Sequence, residues 1–458
     1  MKSLKIGHIT DIHFRHYTPG SSHKQKNRSR EMLKVLEKAL NVLKKEKIDI
    51  LVITGDIIDT PGVVLKHNNY YMDLSTPFKQ LIRKDYLTIR SILDHSGIPW
   101  IVIPGNKDEP ELYTELWGDQ PLVRDFKGYR FVSFHDRQWD GGQPRRFDRE
   151  RRLMEAQLAD PDSPPQIHLQ HFVSTPSEQI KLKHVYKEAD NLRKMCRDSG
   201  NVVLSLSGHY HPGIKSYREE KTTWISGPAF CAIPHPVLIH ELEGNALQKT
   251  SRLEIQKKSI HKGKPAVFMD RDGVIATQSS YTTGPEEMKL IPGAGEAILK
   301  LRKAGFAVVI NTNQSCIGLG YVPESVVLLN HEYMCHLLVN ETGDIESQPD
   351  AIYFSSGAGN LAVHPDYTDT TVTKPSPELL HKACSLLGLS MKNCWMIGDR
   401  EGDLRCALNG RVKPLLVRTG DGNITEENID QGIYRDLVVK NNILEAAEFI
   451  INNSGSAK

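Results

Sequence analysis

Short β-branched runs recur along the chain between stretches whose apolar residues fall three and four apart. Ile48-Asp-Ile-Leu-Val-Ile53, Trp100-Ile-Val-Ile103, Ile167-His-Leu-Gln170 and Val202-Val-Leu-Ser-Leu206 predict strands. Arg30 to Lys45, apolar at Leu33, Leu36, Leu40 and Leu43, predicts an amphipathic helix, so the class is α/β. Near Trp224 the pattern becomes strand after strand, through Val237-Leu-Ile-His240 and Arg252-Leu-Glu-Ile255, as at the close of a domain. Gln256 to Lys264 is polar and basic and predicts a linker. A second alternating series then runs through Ala266-Val-Phe-Met269, Ala307-Val-Val-Ile310, Ala351-Ile-Tyr-Phe354, Trp395-Met-Ile397 and Leu415-Leu-Val417. The expected organisation is a first domain over 1–255, a linker over 256–264, a second domain over 265–450 and a flexible tail over 451–458.

A length of 458 residues fits two domains, and 39% apolar with 25% charged residues is the composition of a globular protein. No apolar run reaches the ~18 residues of a membrane span, and Met1 to Thr10 lacks the apolar core of a signal peptide; a cytoplasmic protein without membrane contact is expected. Seven cysteines with no C-x-x-C pair argue against a disulfide framework or a cysteine zinc site. Charge is uneven. Residues 1–260 carry 40 Lys and Arg against 32 Asp and Glu, a formal +8, while residues 261–458 carry 18 against 24, a formal −6. The excess concentrates in His16 to Arg30 and in Arg145-Arg-Phe-Asp-Arg-Glu-Arg-Arg152. Such runs read either as a solvated face or as attraction for phosphate chains or nucleic-acid ends.

Metal-ligand side chains stand at the ends of successive strands in the first half: Asp11 and His13, Asp56, Asn106, His171, and His209 with His211. Strand C-termini open onto one side of an α/β sheet, so these residues can meet in one crevice. Mixed carboxylate, imidazole and amide ligands suit Mn, Fe or Zn rather than Ca. A shared carboxylate, Asp56, could bridge two ions ~3.5–4 Å apart, the geometry of phosphoryl displacement by a metal-activated water. The ordered words Asp11-Ile-His13, Gly55-Asp56, Gly105-Asn-Lys-Asp108, His171 and Gly208-His-Tyr-His211 resemble those of the calcineurin-like metallophosphoesterases. That resemblance covers about residues 1–255 and implies a four-layer α/β/β/α sandwich. It also implies that Asp11, His13, Asp56 and His211 hold one metal, and that Asp56, Asn106, His171 and His209 hold the other.

One position departs from that pattern. After the metal-binding asparagine the family has a histidine that protonates the leaving group; here it is Lys107. Lysine is a poor acid at its ordinary pKa of ~10.4 but a permanent cation. Lys107 is expected to neutralise a leaving oxygen or grip a substrate phosphate. The alternative is that it points into solvent and the site is weakened.

In the second half, the strand Ala266 to Met269 runs into Asp270-Arg-Asp-Gly-Val274. A strand-end carboxylate can attack phosphorus, and an acid two residues on can protonate the leaving oxygen and then activate water. Further strand ends supply Thr312 in Asn311-Thr-Asn-Gln314, Lys374 in Thr373-Lys-Pro-Ser-Pro377, and Asp399 and Asp403 in Ile397-Gly-Asp-Arg-Glu-Gly-Asp403. With MDRDGVI, NTNQSCIGLGY, KPSPELL, MIGDREGDL and LLVRTG, this half resembles the haloacid-dehalogenase superfamily, in the subgroup of histidinol-phosphate and heptose-bisphosphate phosphatases. The resemblance implies a Rossmann-like domain in which Asp270 is the nucleophile and Asp272 the general acid/base. Thr312, Asn313 and Lys374 bind phosphate, and Asp270, the Asp272 carbonyl and Asp399 hold Mg²⁺, with Asp403 among the metal-site acids. The short interval from Asp270 to Thr312 leaves room for little or no cap. Phe354 to Lys374 contains no cysteine and only His364, so the zinc loop of those relatives is not expected, and Cys316 stands where a glycine is usual.

The expectation is a bifunctional phosphohydrolase, a dinuclear-metal phosphodiesterase or phosphatase beside a Mg²⁺-dependent phosphomonoesterase. Its phosphorylated substrates are expected to be nucleic-acid termini or nucleotides. The alternative is a phosphatase of a sugar or amino-alcohol phosphate, with the first domain a weakened or scaffold module.

Overall fold

Two sheets face each other in the first part of the chain, and a third forms the second part, in a computed structural model that describes residues 3–22, 24, 26–65, 75–138, 142–174, 180, 184–277 and 281–453. The last five residues of the expected flexible tail, 454–458, lie outside the described residues. In chain order the strands of the first part are β1 (Ser3–Ile9), β2 (Ile50–Thr54), β3 (Trp100–Ile103), β4 (Val123–Phe126), β5 (Tyr129–Ser133), β6 (Gln166–Leu169), β7 (Val202–Ser207), β8 (Ile214–Glu219), β9 (Thr222–Ser226), β10 (Pro236–Glu243) and β11 (Ala246–Glu254). One sheet has the order β11-β10-β1-β2-β3, the other β4-β5-β6-β7-β9-β8. The strands β1, β2 and β3 are parallel, as are β5, β6, β7 and β9, so their C-terminal ends open on a shared edge.

Alternation of side chains explains the layers. Ile50 and Val52 of β2 point into the core between the sheets, where they meet Phe131, Ile167, Leu169 and Leu204. Leu51 and Ile53 point to the other face, against Leu36, Leu43, Phe78 and Ile82 of the helices Met32–Lys45 and Ser75–Ser96. Beyond the second sheet, Phe134, Val202 and Trp224 pack on Met154 and Leu192 from the helices Asp148–Leu158 and Ala189–Ser199. This is the four-layer α/β/β/α sandwich, and strands covered on both faces read as continuous apolar runs. The helix expected over Arg30 to Lys45 begins at Met32 and buries Leu36, Leu40 and Leu43 as its spacing predicts, with Leu33 only partly buried.

The second part contributes β12 (Ala266–Met269), β13 (Ala307–Asn313), β14 (Ala351–Ser355), β15 (Trp395–Gly398), β16 (Lys413–Val417) and β17 (Val438–Lys440), in the order β14-β13-β12-β15-β16-β17 with every pair parallel. Counted within this sheet the order is 3-2-1-4-5-6, a Rossmann-like arrangement whose direction of winding reverses between β12 and β15. Ligands bind outside the strand C-termini at that switch. Between Asp270 and β13 the described residues hold the helix Ala294–Lys303, which packs on the sheet through Ala297, Ile298 and Leu301, and no separate cap domain.

The two parts are packed together. The helix Glu324–Thr342 belongs to the second part, yet its Leu329 sits in the core of the first and its His336 meets Phe78 edge to face. The segment 256–264, expected as a linker, forms turns held at the junction. The Ser259 hydroxyl donates to Glu31 Oε1 at 3.1 Å, and His261 Nε2 lies 3.5 Å from Asp350 Oδ1. Two arginines of the basic run His16 to Arg30 are also committed here, Arg28 donating to the Leu386 carbonyl and Arg30 to that of Ile345. No helix among the described residues is long and apolar enough to cross a membrane.

Two candidate metal-assisted active sites

The loops after β1, β2 and β7 carry their polar residues in a backbone conformation that L-residues rarely adopt: φ is 53° at Asp11, 47° at His13, 52° at Asp56 and 65° at His209. The loops brace one another. Asp11 N–H donates to the Gly55 carbonyl at 3.0 Å and His13 N–H to the Asp56 carbonyl at 2.9 Å. Gly55 and Gly105 allow the close approach. A Cβ on Gly55 would lie 2.8 Å from the Gly105 nitrogen, and one on Gly105 would meet the Asp56 carboxylate and lie 2.8 Å from His171 Cε1. Non-glycine residues held at such φ values concentrate at functional sites.

These loops bring together the ligands expected from the sequence. His13 Nε2 lies 3.2 Å from His211 Nε2, 3.6 Å from Asp56 Oδ2 and 3.8 Å from Asp11 Oδ1, and His211 Nε2 lies 3.6 Å from Asp11 Oδ1. On the other side of Asp56, His171 Nε2 lies 3.4 Å from Oδ1 and 3.1 Å from Asn106 Oδ1, and the ring of His209 meets that of His171 edge to face. Asp56 thus stands between the two groups, as a bridging carboxylate must.

Burial and mutual charge set the protonation of this cluster. Burial disfavours charge on His13, but the Asp11 and Asp59 carboxylates outweigh it and raise the ring to about 10. Burial likewise opposes charge on His171, and Asp56 raises it to about 9. Burial drives His209 down to about 3 and His211 to about 4. The imidazolium partners prevail over burial at Asp11 and Asp56 and hold both carboxyls well below the usual range. The residues fit a pair of divalent ions. Asp11 Oδ1 and His209 Nε2 are buried without a hydrogen-bond partner among the described residues, and the Nε2 atoms of His13 and His211 converge on each other and on Asp11 Oδ1.

Sequence reasoning missed three neighbours. The Cys231 thiol is buried within reach of the His13 and His211 ligand atoms; no motif marks it, because it arrives from the loop after β9. Asp108 accepts from the N–H groups of Gly105, Ile57 and Ile58 and from the Tyr86 hydroxyl, tying the asparagine loop to the Asp56 loop. Asp59 receives Arg15. Lys107, the departure from the family pattern, donates its backbone N–H to Asp56 Oδ1, and its side chain is half-buried in a cavity of about 190 Å³ between the two parts of the molecule.

The second cluster lies at the switch between β12 and β15. Lys374 Nζ is 2.9 Å from Asp270 Oδ1 and donates to Asp403 Oδ1 at 2.6 Å. Asp270, Asp399 and Asp403 form one group of converging carboxylates. Asp399 Oδ1 is buried without a hydrogen-bond partner among the described residues, and Oδ2 accepts from the Asp421 N–H at 2.9 Å. Burial, helped by the neighbouring acids, pushes Asp270 to about 6 and Asp399 to about 7. Burial works against charge on Lys374, yet Asp270 and Asp403 keep it raised. Three crowded carboxylates with an orphaned oxygen fit a Mg²⁺ ion. Asp403 also accepts from the Arg400 N–H, so it serves Lys374 and a helix start as much as a metal. The Asp272 carboxylate is held by Arg271 at 2.7 and 3.0 Å and by Gln314 at 3.1 Å, and Gln314 also donates to the Thr312 hydroxyl. Asn313 differs from expectation in its side chain. Its amide exchanges hydrogen bonds with the backbone of Lys374, accepting at 3.0 Å and donating at 3.3 Å, so it positions the lysine.

The charged run Arg145 to Arg152 divides. Arg146 is no surface charge: it is buried, paired with Asp136 at 2.7 Å and packed 3.6 Å from the Phe134 ring centre. Arg145 and Arg149, with Arg137 and Lys187, line a cavity of about 830 Å³ beside the first site.

Known proteins match both halves. The profile of the calcineurin-like phosphoesterases matches residues 4–213 and that of the HAD-hydrolase-like proteins residues 371–445. A D-glycero-beta-D-manno-heptose-1,7-bisphosphate 7-phosphatase of Pseudomonas putida is 30% identical over 188 residues, 40% of this chain and 98% of that protein. Among solved structures, a D,D-heptose 1,7-bisphosphate phosphatase from B. bronchiseptica, complexed with magnesium and phosphate, aligns over 41% of this chain and 98% of its own at 25% identity and a TM-score of 0.36. A dimetal phosphatase from Danio rerio aligns over 55% of this chain and 99% of its own at 15% identity and a TM-score of 0.41.

Proposed function

Because this chain belongs to the calcineurin-like phosphoesterases through its first half and to the haloacid-dehalogenase-like hydrolases through its second, it is a phosphohydrolase with two centres, and we propose that the second removes a phosphate from a small sugar-like or amino-alcohol phosphate. The observation that carries this reading is the match along nearly the whole length of a heptose-bisphosphate phosphatase. Asp270 attacks phosphorus, the bond to the leaving oxygen breaks, and Asp272 gives that oxygen its proton. Asp272 then takes a proton from the water that hydrolyses the aspartyl-phosphate and returns Asp270 to its carboxylate. Lys374 and Thr312 hold the phosphoryl oxygens, and Gln314 and Arg271 orient the proton-carrying carboxylate. Asp270, Asp399 and the Asp272 carbonyl, with Asp403 nearby, would hold Mg²⁺, which would supply positive charge against the phosphoryl oxygens.

The first centre hydrolyses a phosphate diester or monoester. Asp11, His13, Asp56 and His211 would hold one ion and Asp56, Asn106, His171 and His209 the other; Mn, Fe or Zn suits this donor set and would supply Lewis-acid charge. The protein orients the substrate between the two ligand groups, and Lys107 lines the interdomain cavity beside them.

Nucleic-acid ends are the second reading, favoured by the cavity that Arg137, Arg145, Arg149 and Lys187 line. Against it, the trough from Asn106 to Arg137 is also lined by Glu109, Glu111 and Glu115. A panel of sugar and amino-alcohol phosphates set against 3′- and 5′-phosphorylated oligonucleotides tests the choice. Turnover of the small phosphates, lost in Asp270→Ala, is the expected result. Preference for oligonucleotides with steeply salt-dependent binding would replace it with the second reading.

A further inference from the structure

Four buried side chains link the first centre to the second domain. Arg15, 3% exposed, donates from Nε to Asp59 Oδ2 at 3.1 Å, and from Nη1 to Glu332 Oε1 at 3.0 Å and the Pro19 carbonyl at 2.9 Å. Asp59 Oδ1 in turn lies 3.6 Å from Nδ1 of His13, an ion-pair contact longer than a hydrogen bond to a nitrogen that has no hydrogen-bond partner among the described residues; the ring's other nitrogen faces Asp56 and His211. The helix that carries Glu332 is fixed against the first domain. This helix, Glu324–Thr342, is anchored in the first domain's core by Leu329, and the Glu332 side chain lies against Gly20, where a Cβ would come within 3.1 Å of its Cγ.

We infer that Glu332, a side chain of the second domain, is a positioning residue for the first domain's dinuclear centre, acting through Arg15 and Asp59 on His13. The inference rests on the reading of His13 as a metal ligand. A ligating imidazole is oriented by the group at its other nitrogen, most often a carboxylate, and loss of that partner weakens metal binding 10–100-fold. Glu332 and the Pro19 carbonyl hold Nη1 of Arg15 and so fix the guanidinium with Nε on Asp59 Oδ2, which leaves Asp59 Oδ1 to face His13. The first centre is therefore complete only while the second domain is docked, a dependence that neither half shows by itself.

The test uses the full-length chain. Mn²⁺ bound per chain is titrated in excess Mg²⁺ for the parent, Glu332→Ala, Glu332→Gln and Asp56→Ala, together with hydrolysis of p-nitrophenyl phosphate at the second centre and the unfolding midpoint of the metal-free proteins. Glu332→Ala is expected to weaken Mn²⁺ binding about tenfold or more. Glu332→Gln, which keeps an acceptor for Arg15, should recover most of it, with second-centre turnover unchanged in both. Parent-like Mn²⁺ binding in Glu332→Ala, beside loss in Asp56→Ala, would overturn the positioning role. A lowered metal-free midpoint with unaltered Mn²⁺ affinity would reduce Glu332 to a structural contact and overturn it too. Asp56→Ala that binds as the parent does would instead remove the dinuclear reading on which the inference stands.

Discussion

Lys107 donates its backbone N–H to Asp56 Oδ1 at 2.7 Å, while its side chain turns into the interdomain cavity that Asp59 and Glu332 also line. The residue that replaces the family's histidine is thus tied to the bridging carboxylate through its main chain and is half-buried. Its backbone bond survives substitution, so the side chain can be exchanged without dismantling the ligand set. Lys107→His should keep Mn²⁺ binding and add a group that gives up a proton near neutral pH. The rate on a diester with an alkyl leaving group, relative to one with nitrophenolate, should rise at least about tenfold, within the usual range of general acid catalysis. An unchanged ratio in paired kinetic assays would show that the position does not face the leaving group.

Gly105 offers a second handle. It has no positive φ, so its requirement is space alone: an added methyl would meet Asp56 and His171 together. Gly105→Ala should weaken Mn²⁺ binding about tenfold or more by moving two ligands, while leaving the second centre's turnover intact. Calorimetric titration with Mn²⁺ measures it, and parent affinity would mean that the loop yields without disturbing the ligands.

At the second centre the two acids of Asp270-Arg-Asp272 should separate kinetically. Nitrophenolate leaves without a proton, so Asp272→Asn should still form the phosphoenzyme from p-nitrophenyl phosphate but release it about 10²–10⁴-fold more slowly. Stopped-flow should then show a burst of about one nitrophenolate per chain, abolished in Asp270→Asn. Equal loss in both variants without a burst would put a different group on phosphorus.

Acid should destabilise the fold through histidines that touch no metal. Burial depresses His168 to about 3, with the Arg146 charge assisting, so the folded protein excludes a proton that the unfolded chain accepts below about 6.5. Its contribution is present above that value and is lost as pH falls toward 3, at up to about 1.4 kcal/mol per pH unit. In the metal-free protein His13 and His171 are raised to about 10 and 9, so folded and unfolded states both hold their protons below 6.5 and these two add no slope there. His168→Gln removes one such proton, so its urea midpoint should fall less than the parent's between pH 7 and pH 5. Parallel pH profiles would place the uptake elsewhere.

The sequence by itself determined the α/β class, the strands that end in ligands, and the ligand types, because each depends on local pattern. Strands buried on both faces must be apolar throughout, as in Ile50 to Ile53, and ligands must follow them where the sheet edge opens. Edge strands such as Ile214–Glu219 and the three-residue Val438–Lys440 left little mark, since exposed positions accept polar residues. Charge runs were the least legible. Arg146 and Arg28 stand among exposed basic residues in the sequence, and only packing showed them buried, one beside Asp136 and the other against the second domain. The approach of Glu332 to Arg15, 317 positions apart, likewise belongs to tertiary structure alone. Local pattern fixes what a residue can do, but the docking of two domains decides which distant partner it meets.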